Sequence, residues 1–135
     1  MTRLELSNYG NTSFERLIGY NPKILDKWDE LEIALFESSS LDNNMLEQVR
    51  RALAFENECE YCMLKAGNVD DNIDEKTKVA VAFAQFFAID HKSISDKHFD
   101  ILKEQFSQKE ISELCSFISF ITSCQKLGRI YNLNS

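Results

Sequence analysis

The sequence predicts an all-α domain, a bundle of about six to seven helices. Its 135 residues include only four glycines and one proline, which leaves few of the breaks that strands and tight turns require. With 44% hydrophobic residues, the chain is long enough to bury a core without metals or structural disulfides. We expect a single domain over residues 1–135.

Capping residues mark the first helices. A short helix is expected from Ser13 to Ile18, after an irregular N-terminal arm. Asn21 and Pro22 then open a longer helix, because asparagine is a favoured cap and proline suits the first helical position. Ser38 ends that helix and Asp42 caps the next. The apolar faces follow a helical repeat and comprise Ile24, Leu25, Trp28, Leu31 and Leu35, and then Leu46, Val49 and Leu53.

The second half of the chain predicts three further helices. Glu75 to Asp90 is apolar over more than one face, which suits the centre of the bundle or a subunit interface. Ser95 caps the next helix. Ser107 and Glu110 form a capping box for the last and longest helix, which is expected to extend to about Tyr131.

Cys59 and Cys62 form a Cys-x-x-Cys pair. Such a pair is half of a zinc site, a redox dithiol, or two buried small hydrophobic side chains. We expect Asn57 to cap a helix, with Glu60 reaching back to it, so that both thiols lie in the first turns. The positive end of the helix dipole favours a thiolate there, whereas Glu58 and Glu60 oppose it. The sequence leaves this balance open.

Neither zinc nor a thioredoxin-like site is favoured. A zinc ion needs further ligands, and Cys115 and Cys124 are nine positions apart in the sequence, roughly 13 Å apart on opposite faces of one helix. We interpret them as core cysteines. A thioredoxin-like site needs a preceding strand, and no segment alternates as a strand does. We therefore expect no metal and no cofactor.

Glu47 precedes Cys59 by twelve residues. One straight helix would separate them by about 18 Å, which is too far for proton transfer. We predict a turn at Asn57 that brings two antiparallel helices together and the carboxylate back over the thiols. Spacing alone favours a solvated Glu47, on the same face as Arg50 and Arg51.

The set Glu47, Asn57, Cys59, Tyr61 and Cys62 resembles the carboxymuconolactone decarboxylase family, specifically its AhpD-like alkylhydroperoxidase branch. The resemblance implies an AhpD-like helical bundle and a homo-oligomer, commonly a trimer or hexamer. It also implies roles for three residues, and it favours a partly buried Glu47 over a solvated one. Cys62 would be the peroxide-attacking thiol, Cys59 its resolving partner, and Glu47 the distal end of a proton relay.

The chain departs from the family at one position. Peroxidase members carry a histidine four residues after the second cysteine, where this chain has Ala66, so the middle of the relay is missing. Lys65 is placed to stabilise a Cys62 thiolate by its charge, although lysine is a poor proton shuttle at neutral pH. We interpret His91 and His98 as solvated residues rather than as a replacement.

These features predict a thiol-dependent peroxidase that reduces a hydroperoxide substrate through a Cys59–Cys62 dithiol/disulfide cycle. An external dithiol reductant would reopen the disulfide. Without the histidine, the reaction is expected to be slow or to need a higher pH. The alternative is a catalytically weakened AhpD-like oligomer with a binding or structural role. A carboxymuconolactone-type decarboxylase is less favoured, because that chemistry has no use for paired thiols.

Charge and hydropathy limit the partners. The net charge of −7 and the pI near 4.8 argue against binding to nucleic acid or to anionic membranes, which require concentrated lysine and arginine. The sequence shows no secretory leader and no apolar run near twenty residues. We expect a cytoplasmic protein, whose thiols are mostly reduced and whose disulfide is transient.

Overall fold

The computed structural model describes residues 1–134, in which seven α-helices and one short 3₁₀ helix, His91–Ser93, occur and no strand. The all-α prediction is confirmed. In chain order the helices are α1 (Ser13–Ile18), α2 (Pro22–Glu37), α3 (Asn43–Glu56), α4 (Glu60–Ala66), α5 (Glu75–Asp90), α6 (Asp96–Gln105) and α7 (Gln108–Ile130).

Side-chain caps fix most of the helix starts where the sequence predicts them. The side chain of Asn21 accepts a hydrogen bond from the Ile24 N–H at 3.3 Å, and Asp42 caps α3 in the same way. Ser107 and Glu110 form the predicted reciprocal capping box of α7. Each cap satisfies N–H groups that a helix leaves unpaired at its start, so these boundaries follow from local sequence.

The core is built around α3, which packs against α4, α5 and α7. Leu46, Val49 and Leu53 are fully buried, as predicted, and burial of such side chains stabilises a fold by roughly 1.5–3 kcal/mol each. The α5 helix contributes the buried Ala80 and Ala84, whose small side chains allow close packing. This face of α5 therefore lies in the core, which is one of the two places, bundle centre or subunit interface, that the sequence predicts for the helix.

The apolar stripe predicted on α2 is only partly buried. Leu25 is 2% exposed, but Ile24 and Leu31 are 52% and 49% exposed, so the prediction is wrong for these two residues. The α2 helix lies on the outside and packs against α1 and α7, which cover only one edge of the stripe. Trp28 lies at that edge, with its ring 5.4 Å from the ring of Phe120.

The N-terminal arm is irregular, as predicted, and is tied to the end of α7. The Arg3 N–H donates to the carbonyl of Tyr131 at 2.9 Å, and the Arg3 guanidinium donates to the carbonyl of Ile130 at 2.7 Å. The arm then leads into Thr12, the cap of α1. Over residues 1–134, no helix has the length and hydropathy needed to cross a bilayer.

Candidate redox site

The two cysteines of the Cys-x-x-Cys pair are joined by a disulfide at the start of α4. Cys59 is the N-cap of the helix, and its Sγ accepts a hydrogen bond from the Cys62 N–H at 3.3 Å. The two sulfurs differ in access. Cys59 is 0% exposed, whereas Cys62 is half-buried and lines an open cavity. A molecule in that cavity therefore meets the sulfur of Cys62.

The turn before α4 occurs where the sequence predicts it, but the predicted cap is wrong. Asn57 ends α3, because its N–H donates to the carbonyl of Leu53 at 2.8 Å. Glu58 then adopts the left-handed conformation, with φ of 52°, and reverses the chain. Cys59 takes the capping role, and Glu60 becomes the first residue of α4 rather than its third. The predicted placement of the thiols at a helix N-terminus is confirmed.

Gln125 of α7 holds this turn in place. It is 2% exposed, and both ends of its amide are satisfied. Its Oε1 accepts from the Asn57 side-chain amide at 2.9 Å, and its Nε2 donates to the carbonyl of Arg50 at 3.1 Å. The sequence analysis missed Gln125, although a glutamine four residues after Ile121, on an apolar helix face, was a usable signal.

Replacing Gln125 by leucine is expected to lower the free energy of unfolding by about 1–3 kcal/mol. The reason is that the side-chain NH₂ group of Asn57 loses the acceptor of its hydrogen bond. Urea unfolding of the oxidised protein measures this change. Gln108→Leu at the exposed start of α7 is the matched control and should change stability by about 0.5 kcal/mol or less. Equal stability of the two variants would contradict a structural role for Gln125.

Gly128 of α7 lies directly against the disulfide. A Cβ at this position would come within 2.7 Å of the Cys59 Sγ and 3.8 Å of the Cys62 Sγ. The first distance is too short for two unbonded atoms, so the missing side chain is what allows α7 to pack on the disulfide. The sequence analysis missed this residue as well. An isolated glycine inside a helix costs about 1 kcal/mol relative to alanine, which suggests a packing reason for its presence.

Glu47 is held by two arginines of its own helix. Its carboxylate accepts from Arg50 at 2.6 and 3.0 Å and from Arg51 at 3.3 Å. In the described part of the chain, no hydrogen bond joins Glu47 to Cys62 or Cys59. Arg50, rather than Glu47, belongs to the wall of the cavity. The relay role implied for Glu47 stays a prediction.

The cavity over Cys62 has a volume of about 210 Å³ and is walled by α1, α2, α3, α4 and α7. Arg50 and Lys65 bring positive charge to this wall. The Lys65 ammonium lies 4.9 Å from the centre of the Tyr61 ring, within cation–π distance. The site residue Lys65 therefore shares the cavity with Cys62, and its effect on a thiolate stays a prediction.

Three carboxyl groups, from Glu15, Asp29 and Glu32, line the same cavity. Burial raises the pKa of Asp29 to about 6, together with the negative charge and hydrogen bond of Glu15. Partial burial also raises the pKa of Glu32, against the opposing charges of Arg50 and Lys65. The sequence analysis did not find these carboxyls, because they come from α1 and α2 and belong to no motif with the cysteines.

In the described part of the chain, the other two cysteines and the two histidines form no hydrogen bond or disulfide with Cys59 or Cys62. Cys124 packs against the core, as predicted, but it is only half-buried because it also lines the cavity. Its Sγ accepts a hydrogen bond from the Trp28 indole at 3.2 Å. Burial raises the pKa of Cys124 to about 12. Neither histidine is among the described residues of the cavity wall: the His98 ring stacks on Phe86, and His91 is exposed in the 3₁₀ helix.

Comparison with known proteins establishes the fold. No protein-family model matches the sequence, and no curated protein does. The chain is similar to a crystal structure described as an uncharacterized peroxidase-related protein from Silicibacter sp. TM1040, with a TM-score of 0.81, 15% identity, and coverage of 89% of this chain and 74% of that chain. This similarity shows that the chain shares the helical fold of that protein, and together with the helices and the disulfide at the start of α4 it is consistent with the AhpD-like bundle that the sequence predicts.

Proposed function

We propose that the protein is a thiol-dependent peroxidase that reduces hydroperoxides through Cys59 and Cys62. The observation that carries this proposal is a disulfide with one buried sulfur and one that opens into a cavity. A disulfide spanning so few residues removes little chain entropy from the unfolded state. Its value as a structural staple is small, which favours a redox role.

The unequal access of the two sulfurs supports distinct roles. In the reduced protein, the Cys62 thiolate attacks a peroxide oxygen, so that an S–O bond forms and the O–O bond breaks. The alcohol leaves after gaining a proton, and Cys62 becomes a sulfenic acid. Cys59 then attacks the Cys62 sulfur, and the disulfide forms with loss of water. An external dithiol reduces the disulfide by attack on the accessible sulfur of Cys62.

Two cations near Cys62 support this assignment. Arg50 and Lys65 lie in the same wall as Cys62, and positive charge near a cysteine favours its reactive thiolate. The carboxyls of Glu15, Asp29 and Glu32 in that wall oppose this effect. Cys124 also lies in the wall, but burial raises its pKa to about 12, so it remains a thiol at neutral pH. We therefore assign Cys62, rather than Cys124, as the nucleophile that attacks the peroxide.

The size of the cavity favours small hydroperoxides. Its volume of about 210 Å³ is below the roughly 300–1,000 Å³ of sites that enclose drug-sized ligands. Hydrogen peroxide and short alkyl hydroperoxides can be enclosed in this volume, whereas the chain of a lipid hydroperoxide would extend out through the open side of the cavity. The cavity's mixture of carboxyl groups with Arg50 and Lys65 also suits a small polar substrate.

The proposal is tested by the consumption of hydrogen peroxide and tert-butyl hydroperoxide by the reduced protein, across a pH series and with dithiothreitol as the reductant. We expect one Cys59–Cys62 disulfide per peroxide consumed in a single turnover, detected by mass as the loss of two hydrogens. Sustained turnover should follow when reductant is in excess. If neither the disulfide nor turnover appears at any pH, the proposal is wrong, and the binding or structural alternative replaces it.

The proposal includes a single domain, a homo-oligomer such as a trimer or hexamer, and a cytoplasmic location, where reductants reopen a disulfide. An apolar groove between α5 and α6, which includes Phe86 and the exposed Ile101, supports self-association. Sedimentation velocity over a concentration series measures the assembly. A monomer at every concentration would contradict the oligomer.

A further inference from the structure

We propose that Arg50, held in position by Glu47, donates hydrogen bonds to the peroxide at Cys62 and stabilises the oxygen that departs. Glu47 then acts as a positioning residue, through Arg50, rather than as the end of a proton relay. The inference rests on the proposed function, since it assigns a further catalytic residue to that reaction. It also dispenses with the relay that Ala66 interrupts.

The guanidinium of Arg50 is fixed by a two-point contact with Glu47. Its Nε donates to one carboxylate oxygen at 3.0 Å, and its Nη2 donates to the other at 2.6 Å. Such a fork sets the plane and the direction of the guanidinium. A guanidinium carries more N–H donors than these two bonds use, and over residues 1–134 the only ion pair of Arg50 is with Glu47. The remaining donors are therefore available to a molecule in the cavity.

Contacts with α7 relate Arg50 to Cys62. The buried Gln125 amide donates to the carbonyl of Arg50 at 3.1 Å. Gly128, three positions further along α7, lies against the disulfide, where a Cβ would be 3.8 Å from the Cys62 Sγ. Positions three apart are neighbours on one face of a helix. The backbone of Arg50 and the sulfur of Cys62 are therefore held against the same turn of α7, and both residues line one cavity of about 210 Å³.

A permanently charged donor suits the bond that breaks. When the Cys62 thiolate attacks the peroxide, the S–O bond forms and the O–O bond breaks, so negative charge appears on the departing oxygen. The guanidinium of Arg50 stays protonated at neutral pH and stabilises this charge without giving up a proton. The departing alkoxide takes a proton from water at the open side of the cavity and leaves as the alcohol. That proton balances the one that the Cys62 thiol lost to solvent.

Two other donors of the wall fit this role less well. Lys65 is exposed and its ammonium lies over the Tyr61 ring, and no ion pair within residues 1–134 fixes it. Gln125 lines the cavity, but its amide is already bonded to Asn57 and Arg50. Of the two cations described in the wall, Arg50 is the one that a carboxylate holds in a defined direction.

The test compares Arg50→Met with the wild type and with Arg51→Met as the matched control. Arg51 is the next residue of α3, its side chain is 25% exposed against 27% for Arg50, and it also donates to Glu47, at 3.3 Å. It lies outside the described wall of the cavity. Single-turnover peroxide reduction and alkylation of Cys62 by iodoacetamide are both measured where each rate has levelled off with pH. A change in the thiolate fraction of Cys62 then affects neither rate.

We expect Arg50→Met to slow peroxide reduction about 100-fold, which is the scale of removing one preorganised donor. Its alkylation rate should stay close to that of the wild type, because iodide rather than an alkoxide departs. Arg51→Met should keep both rates, since Glu47 retains both bonds to Arg50. Arg50→Lys keeps the positive charge but not the fork, so it should recover only part of the rate.

A double mutant tests the role of Glu47. Glu47→Gln should slow peroxide reduction about tenfold, the scale of one hydrogen bond, because an amide offers Arg50 a single acceptor oxygen. In an Arg50→Met background the same change should have little further effect, since the residue through which it acts is gone. A proton relay that ends at Glu47 would contribute in both backgrounds.

The contrary outcomes are distinct. If Arg50→Met keeps the wild-type rate of peroxide reduction, the inference is wrong and the proposed function stands. If its alkylation slows in parallel, Arg50 acts on the thiolate or on the fold rather than on the peroxide, and the inference is again wrong. An equal effect of Glu47→Gln with and without Arg50 would show that Glu47 does not act through Arg50. If the wild type forms no disulfide with peroxide at any pH, the proposed function itself fails.

Discussion

Cys62→Ser is expected to lower hydroperoxide turnover by about 1,000-fold or more, as removal of a reacting nucleophile does in other enzymes. A serine hydroxyl is not ionised at neutral pH and cannot form a sulfenic acid. Cys62 is the sulfur that opens into the cavity, and the buried Cys59 is not placed to take over its reaction. Peroxide consumption under excess dithiothreitol measures the loss.

Cys59→Ser should behave differently and serves as the matched comparison. Its Cys62 still reacts once, so we expect one fast turnover and a sulfenic acid that dimedone traps, followed by slow regeneration. Cys115→Ser, at a half-buried cysteine outside the cavity wall, should change neither phase. A fast first turnover in Cys62→Ser and none in Cys59→Ser would reverse the assigned roles.

Gly128→Ala is expected to shift the equilibrium of the protein with a dithiol buffer about tenfold toward the reduced form. The new Cβ would lie 2.7 Å from the Cys59 Sγ, and a disulfide holds that sulfur in place, so the overlap cannot be relieved by rotation. Overpacking of this kind costs about 1–3 kcal/mol. In the reduced protein the Cys59 side chain is no longer bonded to Cys62, so the sulfur can move away from the new Cβ. The gain of about 1 kcal/mol in helix propensity of alanine over glycine applies to both forms and does not change the shift.

A double mutant isolates this contact. In a Cys59→Ala background the large sulfur is absent, so Gly128→Ala should stabilise the protein rather than destabilise it. Urea unfolding of Gly128→Ala in both backgrounds measures the difference in stability. Mass analysis of the oxidised fraction in a dithiol buffer is made in the background that retains Cys59. If Gly128→Ala has the same effect with and without the sulfur, the glycine is not needed for the approach of α7 to the disulfide.

The parts of the fold that depend on local chemistry could be predicted from the sequence. The boundaries at Asn21, Asp42 and Ser107 follow from side chains that bond to the first N–H groups of a helix, and these bonds involve residues close in sequence. The extent of the buried face of α2 could not be predicted in the same way. The exposure of Ile24 and Leu31 depends on how much of α2 the neighbouring helices cover.

The cysteine pair could be identified from spacing, but the site around it could not. Glu58 takes a positive φ, which is uncommon for residues other than glycine, so the sequence favoured Asn57 as the cap. Gly128 lies against the disulfide, and Glu15 and Asp29 line the same cavity as Cys62, only because distant helices pack together. No periodicity or short motif contains that information.

The complete burial of Cys59 gives the proposed catalytic cycle a kinetic signature. If Cys62 is the only sulfur of the Cys59–Cys62 pair that outside molecules reach, the peroxide and the reductant use the same position and cannot occupy it together. The two half-reactions must then alternate, which produces ping-pong kinetics. Double-reciprocal plots at several reductant concentrations should be parallel, and a high concentration of one substrate should inhibit competitively against the other.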